Sequence, residues 1–153
     1  MKKSKNSTIA ILSLFLTFFF TTANAQRSYI DNYKDIATDL SKQYGIPSSI
    51  ILAIAIVESG AGTSKASKTL NNHFGIHGKN NINTSRFKSF TSVRESYEAF
   101  CLLLSKKKLY SKLKDNNNSN DWVKAIASSG YSTKPTEWIK KINSTITKYG
   151  LQK

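Results

Sequence analysis

One carboxyl in this sequence closes an unbroken apolar run, a setting in which a carboxylic acid can keep its proton and act as a general acid. Ile50 to Val57 is apolar at every position, and the first polar residue after it is Glu58, followed by Ser59 and Gly60. Burial against apolar groups raises a carboxyl pKa by disfavouring the charged form. A glutamate ending such a helix beside a glycine-rich bend therefore fits a general acid open to substrate. The plainer reading is a helix-terminal glutamate turned to solvent, as most glutamates are. Other chemistry finds little support. Cys101 is the one cysteine, and it falls on an apolar helical stripe with Val93, Tyr97, Phe100 and Leu104, which makes it core, not nucleophile. With two histidines and one cysteine, the three or four ligands of a metal site are not expected, and no cofactor is implied.

The elements that must carry Glu58 are helical almost throughout. Ile30, Tyr33, Ala37, Leu40 and Tyr44 form one stripe, closed by Gly45. Pro47 suits the first turn of a second helix, whose all-apolar run should be the centre of the domain. From His73 to Phe90 the helical period is lost. Gly75, Gly78 and the polar stretch Lys79 to Ser85 predict turns and a short, poorly formed hairpin. Ser92 and Glu95 make an S-x-x-E capping box that opens the helix carrying Cys101. An Asn-rich loop over Asp115 to Asp121 precedes a short helix through Trp122 and Ile126, which stops near Gly130. A last helix from about Pro135 carries Trp138, Ile142, Ile146 and Tyr149 on one side. There is no internal repeat and no sign of a second domain.

The first 25 residues read as a signal peptide. Lys2, Lys3 and Lys5 precede an apolar run from Ile9 to Phe20, and Ala23-Asn24-Ala25 supplies the cleavage signal. The run is about a dozen residues, short of the roughly 20 that span a bilayer, so no stable membrane insertion is expected after cleavage. Residues 26–153 would form a single domain, expected to be a monomer that is periplasmic or secreted. Of the 23 basic residues, 20 remain against nine acids after cleavage, a charge of +11. In an exported protein the anionic partner for such a charge is the cell envelope, and a solvated lysine-rich surface fits the count equally. No aromatic-basic motif supports nucleic-acid binding.

Four blocks in order resemble the glucosaminidase family of peptidoglycan hydrolases, which includes autolysins and flagellum-associated muramidase-like enzymes. They are IILAIAIVESGAGTS at Ile50 to Ser64, NNHFGIHG at Asn71 to Gly78, RFKSFTSVRES at Arg86 to Ser96, and GYSTKP at Gly130 to Pro135. Each is weak alone; together they cover nearly the whole mature chain. The resemblance implies a lysozyme-like α+β fold, mainly α-helical, with a small β-lobe over a sugar groove. It also implies hydrolysis of the β-1,4 bond after N-acetylglucosamine in peptidoglycan glycan strands. By position, Glu58 matches the catalytic acid and Tyr131 the tyrosine beside the reacting sugar. Ser59, Asn72, Phe74 and Gly75 match residues that form the groove and bind substrate, although core packing is the simpler role for Phe74.

The departures from the family pattern bear on mechanism. Ala61 stands where an aromatic residue is common, His77 where lysine is, Phe90 for a tyrosine, and Lys134 for the aspartate before Pro135. Many members carry a second catalytic carboxylate in the β-lobe, but Lys65 to Arg94 contains no Asp or Glu. Glu95 is the nearest acid, and the capping box already accounts for it. A single acid points to substrate assistance, in which the 2-acetamido oxygen attacks the anomeric carbon and Tyr131 orients it or a water. Two alternatives stay open: a lytic transglycosylase, which needs only one glutamate, and a non-catalytic peptidoglycan-binding module of the same fold.

Overall fold

The computed structural model describes residues 6–80 and 85–152, with side chains described from residue 24 onward. The lysines expected to begin the signal peptide, and residues 81–84 of the polar lobe stretch, lie outside the described residues. Seven α-helices follow one another: α1 (Asn6–Tyr44), α2 (Ser48–Ser59), α3 (Lys65–Leu70), α4 (Val93–Ser105), α5 (Tyr110–Leu113), α6 (Ser119–Ile126) and α7 (Pro135–Tyr149). A π-helical turn, Ala127–Tyr131, follows α6 directly. No helix among the described residues is long and apolar enough to cross a membrane.

α2 is the axis of the domain because its sequence leaves it no polar face. Every residue from Ser49 to Ile56 is buried, and the helix packs against α1, α4, α6 and α7. Burying one such aliphatic side chain contributes about 1.5–3 kcal/mol, so the run fixes the position of whatever ends it. What ends it is Gly60 in the left-handed conformation (φ 59°), whose N–H caps Ile56 O. Glycine takes that conformation without steric cost. The stripe on α1 packs as its spacing predicts, with Ala37 and Leu40 fully buried and Gly45 ending the helix at φ 64°. On α7, Trp138, Ile142 and Ile146 are buried. Cys101 is a buried free thiol whose pKa is pushed up to about 12 by burial, with the charge of Glu98 second.

The β-lobe is smaller than a hairpin. Among the described residues it has one isolated antiparallel bridge, His77 to Phe87, flanked by Gly78 N–H to Arg86 O (3.1 Å) and Lys88 N–H to Ile76 O (2.8 Å). Asn72 takes over the ordering that strands usually provide. Its Nδ2 donates to Ile76 O (2.8 Å) and Lys88 O (2.9 Å), and its Oδ1 accepts from Ile76 N–H (3.0 Å). One buried amide thus joins both arms of the lobe. The short helices α3 and α5 were not foreseen. α3 is held by a Ser64 cap, with Ser64 Oγ accepting from Ser67 N–H at 3.2 Å.

The predicted cap on α4 forms with a shift of register. Ser92 Oγ accepts from Glu95 N–H (3.1 Å), as a capping box requires. The Glu95 carboxylate, however, reaches one residue further back, accepting from both the N–H and the hydroxyl of Thr91 at 2.7 Å each. These bonds hold its pKa below the usual carboxylate range.

Candidate active site

A groove of about 640 Å³ opens between the lobe, α4 and the π-turn, and Glu58 lies on it. Gly75, Ile76 and Phe87 come from the lobe, Phe100 and Leu103 from α4, and Tyr131 from the turn. Each reaches the groove for a local reason. Glu58 lies in the last turn of the buried central helix, and Gly75 (φ 66°) lets the lobe chain reverse. Gly130 (φ 78°) ends the π-turn and presents Tyr131. Among the described residues, Glu58 is the sole carboxylate lining the groove. Glu95 is taken up by the cap of α4 and does not line it.

Trp138 Nε1 donates to Glu58 Oε1 at 2.8 Å. An indole N–H can only donate, so Oε1 is an acceptor in both protonation states. The bond to Oε1 favours placing the proton of the acid form on Oε2, the oxygen it leaves free. Neither this bond nor the role of Trp138 was legible in the sequence, where a tryptophan on the apolar stripe of α7 reads as core. The apolar burial that the sequence suggested for Glu58 is not found in the free protein: the residue is exposed. The apolar run buries the helix behind it, while Gly60 turns the chain away and leaves the carboxyl facing the groove.

Tyr131 is half-buried, with its ring 5.4 Å from that of Trp138 and 6.2 Å from that of Phe100. Burial, and then the negative charge of Glu58, raise its pKa well above the ordinary phenol value. It remains a hydrogen-bond donor at any working pH. Its hydroxyl makes a long contact, 3.5 Å, to Phe74 O, which is weak enough to be exchanged for a better acceptor.

Of the other predicted site residues, Phe74 also lines the groove, whereas Asn72 and Ser59 do not. Phe74 is buried and stacked on Phe100 (4.3 Å, 6°), with its edge toward Tyr97 (4.9 Å), which is the core role. Asn72 is 1% exposed and spends its amide on the lobe backbone. Ser59, expected to bind substrate, has no exposed surface; its Oγ donates to Ala55 O (2.6 Å) and accepts from Gly62 N–H (2.8 Å). It is used up in fixing the turn after Glu58, because the helix end leaves Gly62 N–H in need of an acceptor.

Behind that turn lies a buried polar cluster with no counterpart in the sequence reading. Tyr29 Oη is 2.6 Å from His73 Nδ1 and 2.9 Å from Tyr97 Oη. Tyr97 donating to Tyr29, and Tyr29 to His73 Nδ1, is the direction that leaves neither phenol proton idle. Burial lowers the pKa of His73 to about 4, so its ring is neutral at neutral pH. Among the described residues, no group of three or more His, Cys, Asp or Glu could hold a metal ion.

Comparison with known proteins agrees with this geometry. Residues 34–151 match the Glucosaminidase family model, described as mannosyl-glycoprotein endo-beta-N-acetylglucosaminidase. The chain is 27% identical over 148 residues to the exo-glucosaminidase LytG of Bacillus subtilis (strain 168), and the match takes in 82% of this chain and 52% of LytG. The chain therefore spans about half the length of that relative. Among solved structures, it is similar to the catalytic domain of the autolysin Auto from Listeria monocytogenes (25% identity, 84% of this chain and 86% of that one, TM-score 0.70). It also shares the fold of the C-terminally truncated glycoside hydrolase domain of FlgJ from Salmonella typhimurium (20% identity, 84% and 99% covered, TM-score 0.68). With the family match running through the helix of Glu58, the lobe and the turn of Tyr131, the chain belongs to the glucosaminidase family of glycoside hydrolases.

Proposed function

We propose that this protein hydrolyses the β-1,4 bond that follows N-acetylglucosamine in peptidoglycan glycan strands, cutting within the strand, with Glu58 as general acid. The observation that carries this reading is the Glu58 carboxyl on the groove, with Oε1 tied to Trp138 Nε1 and Oε2 left to hold the proton. Glu58 Oε2 protonates the leaving oxygen. Since no second carboxylate among the described residues lines the groove, the 2-acetamido oxygen of the substrate attacks the anomeric carbon, and the Tyr131 hydroxyl holds that group or the incoming water in line. Removal of the first 25 residues as a signal peptide would deliver the enzyme, as a monomer, to the periplasm or outside the cell, where its substrate is. With 20 basic residues against nine acids after that removal, its charge of +11 suits an anionic envelope.

Mass spectrometry of muropeptides released from purified cell walls tests the reading. Hydrolysis leaves reducing N-acetylglucosamine ends, and Glu58→Gln should lower their release by about 10²–10⁴-fold, the usual contribution of a general acid. Wild-type turnover by a folded Glu58→Gln variant rules Glu58 out. The lone carboxylate also suits a lytic transglycosylase, and 1,6-anhydro products in the same spectra would identify that reaction instead.

A further inference from the structure

The groove carries positive charge that glycosidic chemistry does not use. Arg86 from the lobe and Lys107 from just beyond α4 both line it. The ion pairs among the described residues lie elsewhere, at Lys34–Asp31, Arg94–Asp39 and Lys134–Glu137. Glu58 does not neutralise either cation, as it makes no ion pair and its Oε1 is committed to Trp138. Lys107 is half-buried, so part of it has already left water. It is also the middle of Lys106-Lys107-Lys108, and with Lys112 and Lys114 the run continues over an exposed surface at the α4–α5 junction. Lys107 thus belongs both to the groove and to a lysine-rich stretch of exposed chain.

An uncharged sugar strand laid over Arg86 and Lys107 offers the two cations only neutral hydroxyl and carbonyl acceptors in exchange for the water it displaces. A strand bearing carboxylates would return charge-assisted hydrogen bonds. We propose that the groove recognises the acidic peptide stems of the glycan strand. In this arrangement Arg86 and Lys107 bind stem carboxylates on either side of the sugar presented to Glu58, and the lysine run receives the next stem along. This proposal rests on the glycosidase reading of the same groove and adds its specificity: the preferred substrate is the peptide-bearing strand, not the bare polysaccharide.

The test compares three substrates: peptide-bearing strands, the same strands stripped of stems by an amidase, and peptide-bearing strands whose carboxylates have been converted to amides. Wild-type kcat/KM should be about tenfold higher on the first than on the other two, as two partly exposed ion pairs can supply. The preference should fade as salt rises. In the double variant Arg86→Gln/Lys107→Gln, the ratio between substrates should fall toward one. Co-sedimentation of the Glu58→Gln variant with each substrate gives the same ordering in binding without turnover. That arm separates the two readings: absence of cleavage on every substrate defeats the glycosidase, while binding still decides stem recognition. Equal wild-type rates and binding on all three substrates overturn the proposal, as does a ratio unchanged in the double variant. A preference that survives the amidase but disappears when phosphate-bearing polymers are removed assigns the cations to phosphate, and overturns it too.

Discussion

Trp138 donates to Glu58 across eighty residues of chain, joining the start of the last helix to the end of the central one. The indole occupies one carboxylate oxygen and favours the other for the proton. Trp138→Phe keeps an aromatic ring over the core and removes that donor. We expect kcat to fall by roughly tenfold or more, the equivalent of losing one hydrogen bond to a charged group, with KM little changed. Kinetics on soluble glycan fragments, set beside a thermal melt, check this. A loss confined to melting temperature would show that Trp138 only packs.

Tyr131→Phe retains the ring contacts with Trp138 and Phe100 and removes the hydroxyl. Its present bond to Phe74 O is long (3.5 Å), so little stability should be lost. If the hydroxyl aligns the acetamido group or water in the transition state, kcat drops while KM holds. Melting temperature and turnover measured on one preparation separate this from a structural role, for which unchanged kcat would be diagnostic.

Glu95→Gln should leave turnover within about twofold of wild type, because a residue spent on a helix cap makes no contact with the reacting groups. It should slightly lower the melting temperature. The pKa of Glu95 is held down by Thr91 in the folded chain. Its contribution is therefore present above the ordinary glutamate pKa and is lost as pH falls through the lowered value. A turnover loss matching that of Glu58→Gln, with the fold intact, would make Glu95 the second carboxylate after all.

His73 gives stability the opposite kind of group but the same direction with pH. Its ring titrates near 6.5 when exposed and near 4 in the folded chain, so between those values the unfolded chain binds the proton more readily. The stabilisation is complete above about pH 6.5 and is lost as pH falls toward 4, by on the order of 3 kcal/mol. Urea unfolding from pH 7 to 4 should show this slope, and His73→Gln should flatten it. An equal slope in the variant would place the titration elsewhere.

Much of this was legible in the sequence because it is local. The all-apolar run from Ile50 to Val57 specifies a buried helix, and Gly60 specifies its end, so the position of Glu58 follows from spacing alone. The same holds for the Ser92–Glu95 cap, although its second arm goes to Thr91, a choice made by side-chain reach. What the sequence did not carry was long-range pairing. Tyr29, His73 and Tyr97 are 44 and 68 residues apart, and no period or motif links them. The exposure of Glu58 was missed for a related reason: an apolar helix reports what lies behind its last residue, not what faces it. Asn72 was placed in the groove block, but only the fold shows that its amide is consumed in holding the lobe together.

Gly62 has no side chain where Tyr29 has a ring. A Cβ at that position would come within 3.0 Å of Tyr29 Cε2, so the bend beyond Glu58 rests directly on the first helix. The family match begins at residue 34, five positions after the ring that props the bend. A shortened form cut at that point would retain every groove residue and lose the support beneath them, leaving His73 Nδ1 and the Tyr97 hydroxyl without their shared partner and a hollow under residue 62. A ring against a backbone therefore ties the groove to chain that lies before the point where similarity begins, and a shortened form that starts upstream of Tyr29 keeps that support.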